Sequence, residues 1–342
     1  VRKKLAQVTT ALDCGDYFQP SKMTLARWVE LWLQEYTSDK KYLTVKHYTA
    51  QCKTHIVPRL GAVKLAELTA PQIQAFYNGL LRDGMAPKSV RNIHGILTKC
   101  LSTAVSVEYI RDNPASRVTL PRVEKKEIHP LTDEQVKDFL RVSAGDEYEI
   151  LLKVILFTGL RESEAIGLTW DCVDFKAGTV KVCKQLQKRP LSDGGFTFAP
   201  LKNDKTRTLR PAPFVLELLE RRKREQAEQR LKAGELWVGW QTTDQQKSAL
   251  VFTTATGSNL SPQTVYNHYK KLASQIGAPD SRVHDLRHTF AVLSLQNGDD
   301  VKTVQGNLGH ATAAFTLDVY GHVSERMKED SAARMQEYIS NL

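Results

Sequence analysis

Residues 283–298, VHDLRHTFAVLSLQNG, are the stretch that decides the fold. Three apolar side chains recur in it at helical spacing and should face a core: Leu286, Phe290 and Leu293. His284, Arg287 and His288 stand at i, i+3 and i+4, so they share one face of the same helix. The stretch predicts a helix that packs on a core with one face and presents two imidazoles and a guanidinium with the other.

His284 and His288 could instead form an i, i+4 metal-binding pair. That interpretation is the weaker one, because no HExxH carboxylate accompanies the two histidines and the nearby Arg287 would repel a cation. We therefore expect this helix face to bind an anion and predict no metal site.

A second cationic stretch, TGLRESEAIGL, follows an apolar run at 150–157 that is typical of a buried helix. Its Arg161 can present a fork of five donors to an anion, or it can form a buried salt bridge with Glu164. Both interpretations stay open for this stretch alone.

Two other stretches place polar groups at turns. In PLKNDKTRTL, Lys202 and Lys205 stand near a turn between predicted strands, where an amine can reach a bound phosphate or face solvent. In LGHATAAFTLDVYGH, Gly309 allows a tight turn before His310, and Tyr320 follows ten residues later. Neither stretch identifies a site by itself, since a single tyrosine is usually a packing residue.

The first part of the chain reads as a helical bundle. Apolar stripes predict about four helices over residues 21–116, and helix starts are expected at Thr24, Thr44 and the capping box formed by Thr69 and Gln72. The stripes of Trp and Leu are core positions, so surface Lys and Arg must make any contact with a polyanion.

Residues 117–130, RVTLPRVEKKEIHP, combine two prolines with charged residues and no periodicity, which is typical of a linker. Beyond it, alternation at 180–182 and 208–209 predicts strands, and a further short strand is expected at 250–253. A small antiparallel sheet should therefore interrupt the helices of the second part, 131–342.

Composition limits the class of protein. The chain has 342 residues, a formal net charge of +10 and a pI near 9.3, which suits a polyanionic partner or a solvated basic face. Residues 1–120 hold 17 Lys and Arg against 9 Asp and Glu, whereas residues 121–342 hold 31 against 29. The five cysteines form no CxxC pair, and neither a membrane helix nor a secretory signal is visible. We expect an intracellular protein whose basic N-terminal part either binds nucleic acid or is a solvated face.

One ordered set of motifs resembles the tyrosine recombinase (phage-type integrase) family: Arg161, Lys202, HDLR at 284–287, LGH at 308–310 and Tyr320. Within that family, LGHATAAFTLDVYGH and HIVPRLGAVKLAELTAPQIQAFYNGL are similar to the integrases of conjugative transposons. The resemblance covers about residues 21–342. It implies a mainly α fold with a small antiparallel β-sheet, in which a SAM-like core-binding domain (21–116) and a catalytic domain (131–342) clamp duplex DNA in a C shape. Residues 1–20 would be a tail or the remnant of an arm-binding domain.

The resemblance also implies the roles of single residues. Six side chains would act on the scissile phosphate: Arg161, Lys202, His284, Arg287, His310 and Tyr320. The arginines would hold the phosphate, Tyr320 would attack it to give a 3′-phosphotyrosine, and Lys202 would protonate the leaving 5′-oxygen, with Lys205 as the alternative acid. The histidines would assist by hydrogen bonding or proton transfer, and Glu164 would support Arg161. Further DNA contacts are expected from Lys205, Arg207, Arg91 and Lys99. No metal, cofactor or ATP is implied, since guanidiniums can neutralise the charge of the transition state.

The implied partners are double-stranded DNA and further copies of the chain. Integration and excision of a mobile element would take place in a DNA-bound tetramer in the bacterial cytoplasm, joined for excision by an accessory factor. The C-terminal stretch 324–342 places an apolar stripe on one helical face: Met327, Met335, Tyr338 and Ile339. That stripe either packs on its own domain or docks in trans on a neighbouring protomer.

Two other functions fit part of the pattern. A non-catalytic DNA-binding regulator would account for the helices and the basic N-terminal part, and it would be indifferent to Tyr320→Phe. A type IB-like topoisomerase would use related chemistry as a monomer, without pairing two sites.

Overall fold

The computed structural model describes residues 22–124, 129–201, 205–310, 312, 332–333 and 335–341. The chain divides into two compact units, Val1–Lys126 and Glu127–Leu342, and each unit has its own hydrophobic core. The expectations for residues 1–20 lie outside the described residues, as does most of 324–342. Among the helices that the structure describes, none is long and apolar enough to cross a membrane.

The first unit is a helical bundle. Its α-helices are α1 (Leu25–Glu35), α2 (Tyr42–Gln51), α3 (Val57–Leu60), α4 (Ala70–Arg82) and α5 (Pro87–Ser106). Trp28 is fully buried among them, and its indole nitrogen donates to the carbonyl of Cys100 at 3.0 Å, which ties α1 to α5. The predicted starts at Thr24 and at the Thr69–Gln72 capping box are confirmed.

One predicted helix start in this unit is wrong. The second helix begins at Tyr42, two residues before Thr44, after an extended Lys41 whose side chain makes no cap. The same helix runs through a π turn, Cys52–Ile56, into α3, so Pro58 lies inside it. Because proline has no N–H to donate, a local change of hydrogen-bond register lets the helix pass this residue and end at Leu60.

The second unit mixes helices with short strands. Its α-helices are α6 (Asp133–Val142), α7 (Glu149–Thr158), α8 (Glu162–Ala165), α9 (Pro213–Ala233), α10 (Thr243–Ser248), α11 (Pro262–Gln275), α12 (Val283–Gln296) and α13 (Val301–Leu308). Its strands are β1 (Val173–Asp174), β2 (Thr179–Val182), β3 (Gln185–Lys188), β4 (Phe196–Ala199) and β5 (Arg207–Leu209). Residues 335–340 are also helical.

The strands form two small antiparallel sheets. One has the order β1-β2-β5, with Val180 opposite both Val173 and Leu209, and the other is the β3-β4 hairpin. Val180 and Val182 point into the core, as their alternation predicts. The predicted fold class, mainly α with a small antiparallel sheet, is confirmed.

The strand expected at 250–253 is wrong. Leu250 and Thr253 form only isolated bridges, because side chains from α9 bind the backbone there. Arg222 Nε donates to the carbonyl of Val251 at 3.0 Å, and Gln226 Nε2 donates to that of Leu250 at 2.9 Å. Arg222 belongs to the basic run RRKRE at 221–225 of α9 and is buried, so this part of the run faces the interior.

The core of the second unit places two helix ends side by side. The nearly wholly buried α7 packs against α12, and α7 ends at Gly159 with a φ of 65°. A Cβ at Gly159 would lie 2.5 Å from Phe290 Cδ1 and 2.8 Å from Leu308 Cδ2, so no other residue fits without displacing its neighbours. This glycine turns the chain sharply toward Arg161.

Candidate functional site

Arg161 lies at the start of α8, on the turn that follows Gly159. Its backbone is extended, and its Nη1 donates to Glu164 Oε1 at 2.7 Å while its backbone N donates to Glu164 Oε2 at 3.0 Å. Its Nη2 lies 3.4 Å from the carbonyl of Gly309, on the turn before His310. About a fifth of the Arg161 side chain is exposed, so the guanidinium is anchored on one side and open to solvent on another.

Glu164 is almost fully buried and holds a second guanidinium. Arg207 Nη2 lies 2.6 Å from Glu164 Oε2, and its Nη1 lies 3.2 Å from Oε1. Burial alone would raise the pKa of Glu164, but hydrogen bonds and charge from Arg207 and Arg161 outweigh it and lower the pKa to about 2. The carboxylate is therefore ionised across the physiological range and orients both arginines.

Arg287 lies on the first turns of α12 and is 2% exposed. Its Nη1 donates to the carbonyl of Gly159, and its Nη2 donates to that of Leu308, both at 2.5 Å. These two carbonyls belong to the turns that present Arg161 and His310. Arg287 therefore joins the two turns to each other and to α12.

Three histidines surround these guanidiniums. The rings of His284 and His288 meet edge to face at 4.8 Å, and His310 follows Gly309, whose φ is 64°. Burial and then the nearby positive charges lower the pKa of each histidine, to about 4 for His288 and about 3 for His310. Part of His284 remains accessible to solvent, and its pKa is lowered in the same direction. At neutral pH these imidazoles are uncharged and can donate or accept one hydrogen bond each.

A cleft of about 270 Å³ opens beside Arg161 and His310. Its lining adds cationic and polar side chains to that pair: Lys205, Arg207, Lys302 and Gln305. Lys205 is exposed at its edge, just before β5. Sequence reasoning missed Lys302, because an isolated lysine on the first turn of a helix carries no motif. Cationic groups along an open cleft form a surface that attracts a phosphate backbone.

The structure thus brings together Arg161, Glu164, Lys205, Arg207, His284, Arg287 and His310. Lys202 and Tyr320 lie outside the described residues. Arg91 and Lys99 belong to the first unit and are exposed on α5, where Lys99 Nζ donates to the hydroxyl of Tyr48 at 3.0 Å. Within the part of the chain that the structure describes, no group of three or more His, Cys, Asp or Glu side chains could hold a metal ion.

Known proteins share both units. A model of the phage integrase family matches residues 124–327, and a model of the phage integrase N-terminal SAM-like domain matches residues 24–81. The chain is 26% identical to a XerC-like tyrosine recombinase of Caldanaerobacter subterraneus subsp. tengcongensis over 330 residues, which cover 92% of this chain and 83% of the relative. It is 25% identical to the ICEBs1 integrase of Bacillus subtilis over 311 residues, which cover 89% of this chain and 78% of the relative.

A solved structure of a Tn1549 transposon integrase in complex with a circular intermediate DNA has the same fold. Its TM-score is 0.76 at 19% identity, over 92% of this chain and 100% of that one. Fold, motifs and relatives together define a tyrosine site-specific recombinase, an enzyme that breaks and rejoins DNA strands. The chain belongs to the phage integrase family, and its resemblance to the integrases of conjugative transposons is confirmed.

Proposed function

We propose that this recombinase integrates and excises a mobile element by cutting and rejoining DNA through Tyr320. The proposal depends on one observation: Arg161 and Arg287 meet at the two backbone turns that contain Gly159 and Gly309, close to His284 and His310. These four side chains come from separate parts of the sequence and are close enough to influence one another's charge, and two of them, Arg161 and His310, line the open cationic cleft. An arrangement of this kind suits a phosphodiester group and its transition state.

The arginines act on the phosphate. As the phenolic oxygen attacks, negative charge accumulates on the nonbridging oxygens, and guanidiniums fixed beforehand by Glu164 and by backbone carbonyls stabilise it without reorganising. Arg161 offers its exposed side to the phosphate, while Arg287 sets the position of the turns around it. His284 and His310, uncharged in the free protein, exchange hydrogen bonds or a proton with the reacting oxygens.

Bond making and breaking balance without a cofactor. The phenol of Tyr320 gives its proton to an uncharged histidine of the site, and its oxygen forms a bond to phosphorus. The bond from phosphorus to the 5′-oxygen breaks, and Lys202 gives its proton to that oxygen. The product is a 3′-phosphotyrosine and a free 5′-hydroxyl. A 5′-hydroxyl from another strand then gives its proton to Lys202 and attacks the phosphotyrosine. The bond from phosphorus to the Tyr320 oxygen breaks, the DNA is rejoined, and Tyr320 takes its proton back from the histidine.

The wider assembly follows the same proposal. Residues 21–116 form the core-binding domain, 117–130 the linker and 131–342 the catalytic domain, and each domain binds the duplex in the bacterial cytoplasm. Arg91 and Lys99, both exposed, contact the DNA backbone. The described apolar residues Met335, Tyr338 and Ile339 are more than half exposed, and they dock on a neighbouring protomer in a DNA-bound tetramer. An accessory factor joins this tetramer for excision.

A nicked suicide substrate tests the chemistry. We expect the protein to become covalently attached to the 3′ side of the cut in the presence of EDTA, and we expect Tyr320→Phe to form no adduct while still binding the DNA. If no adduct forms on DNA that carries the element's own ends, the protein is a DNA-binding regulator and not a recombinase. Relaxation of supercoiled DNA by a monomer, with no joining of two sites, would instead favour a topoisomerase.

A modified substrate identifies the general acid. When sulfur replaces the bridging 5′-oxygen, the leaving group needs no proton, so cleavage by a variant that lacks the acid is restored. We expect this rescue for Lys202→Ala and a small effect for Lys205→Ala with either substrate. The reverse pattern would assign the role to Lys205.

A further inference from the structure

We propose that Arg207 is a positioning residue of the strand-cleavage reaction. Its guanidinium holds the turn of Arg161, the turn of His310 and the start of β5 in fixed relative positions. The proposal rests on the proposed function. It differs from the expectation that Arg207 contacts DNA.

All three nitrogens of the Arg207 guanidinium are engaged within the protein. Nη1 and Nη2 bind the two oxygens of Glu164, and Nε donates to the carbonyl of Asn307 at 2.7 Å. The side chain is only a tenth exposed. A guanidinium used in this way has its charge compensated by a carboxylate and has little surface to offer to a DNA phosphate.

The partners of Arg207 explain what it positions. Glu164 holds Arg161 through both its backbone and its side chain, and Asn307 lies three residues before His310, at the end of α13. Arg207 is also the first residue of β5, two residues after Lys205. One side chain therefore fixes the relative positions of an arginine, a histidine and the start of β5, the strand that begins two residues after Lys205.

Gly309 supplies an independent sign that the chain is built around this guanidinium. A Cβ at Gly309 would lie 3.1 Å from Arg207 Nη1 and 3.3 Å from its Cδ, closer than ordinary packing allows. A side chain at this position would push the Arg207 guanidinium aside by a few tenths of an ångström. The positive φ of this glycine and the nearness of Arg207 both disfavour a side chain here.

The test compares Arg207→Ala with Arg210→Ala in the full chain. Arg210 is exposed one residue beyond the same strand, so its removal takes away the same charge without touching the site. For each protein we would measure the DNA dissociation constant at two salt concentrations and the single-turnover rate of adduct formation at saturating DNA. Measurements are made well below the unfolding temperature of each variant.

We expect Arg207→Ala to lower the cleavage rate constant about 100-fold, the size of effect that follows a misplacement of about 1 Å at a reacting centre. The dissociation constant and its salt dependence should stay within about twofold of the wild type, and Arg210→Ala should cleave at the wild-type rate. Cleavage by Arg207→Ala at the wild-type rate would overturn the proposal. Weaker binding with a salt slope reduced by about 1 would overturn it too, because that result identifies a phosphate contact.

Arg207→Lys covers the case in which the alanine variant fails to fold. It keeps a positive charge beside Glu164, but a single amine cannot reproduce the fork to the carboxylate together with the bond to Asn307. We expect about tenfold slower cleavage with normal DNA affinity, the loss that goes with one charge-assisted hydrogen bond. Wild-type cleavage by this variant would contradict the inference. A wild-type protein that forms no adduct at all would instead defeat the proposed function, so the two failures are distinguishable.

Discussion

Replacing Glu164 by glutamine removes the one buried carboxylate that two guanidiniums of the site share. The substitution keeps the size of the side chain and takes away its charge. Arg161 and Arg207 are then left close together without a counter-ion, in a place where water reaches them poorly. We expect a loss of stability in the second unit and a slower cleavage reaction.

The magnitude follows from the pKa of the carboxyl. In the folded protein the pKa is about 2, against an ordinary value of 4.5. A tenfold change in proton affinity is worth about 1.4 kcal/mol, so the ionised carboxylate contributes about 3 kcal/mol at pH 7. This agrees with the roughly 3–5 kcal/mol found when one partner of a buried ion pair is removed.

The contribution has a defined pH range. Because the folded pKa lies below the unfolded one, the stabilisation is complete above about pH 5 and is lost as the pH falls toward 2. At pH 3 it amounts to about 1.4 kcal/mol, less than half of its value at pH 7. The stability gap between wild type and Glu164→Gln should therefore narrow as the solution is acidified.

Urea unfolding of the full chain at pH 7 and pH 3 measures this gap. Only the transition of the second unit should move, and the transition of the first unit serves as an internal reference. The exposed Glu228→Gln on α9 is the matched control and should change stability by less than about 0.5 kcal/mol. A loss under about 1 kcal/mol at pH 7, or a gap of the same size at both pH values, would refute this role of the Glu164 carboxylate.

Three further predictions concern the turns, the DNA contacts and the histidines. Gly309→Ala should lower the unfolding temperature and the cleavage rate more than Gly277→Ala does. Both positions have a positive φ, which costs roughly 1–2 kcal/mol when a Cβ is present, but only at Gly309 does the new Cβ meet a guanidinium. Equal losses in the two variants would argue against that contact. Arg91→Ala should weaken DNA binding and reduce the slope of log affinity against log salt by about 1, whereas an unchanged slope would remove Arg91 from the DNA surface. The free protein should lose thermal stability as the pH falls below about 6.5. In the folded protein His288 and His310 have pKa values of about 4 and 3, so they stay uncharged at a pH where the histidines of the unfolded chain take up protons. His310→Gln should make stability depend less on pH, and a pH profile identical to that of the wild type would contradict the prediction.

Local features of the fold could be predicted because their physics is local. The capping box of Thr69 and Gln72 is formed as the sequence indicates, since it needs only residues within one helical turn. The alternation of Val180 and Val182 likewise predicts a strand whose buried face is seen. The start at Thr44 failed because no rule selects between a side-chain cap and an extended lysine two residues earlier.

Contacts between distant segments were out of reach. Nothing in the sequence around 250–253 shows that Arg222 and Gln226 will bind the backbone carbonyls of this segment. These contacts take the place of the hydrogen bonds that a neighbouring strand would make. The partners of Arg207 could not be predicted for the same reason, since its Nε binds a carbonyl that lies a hundred residues away in the sequence. The sequence does not show whether an arginine will bind a ligand or a backbone turn. That depends on which groups the fold brings next to its guanidinium.

Arg287 joins the turns on either side of the site, and this limits how an inert form of the protein can be prepared. Its removal releases two backbone segments as well as a charge, so a variant at this position would confound loss of chemistry with loss of shape. Studies that need a silent but intact molecule, such as trapping an assembled complex, should leave this arginine in place and alter the nucleophile instead.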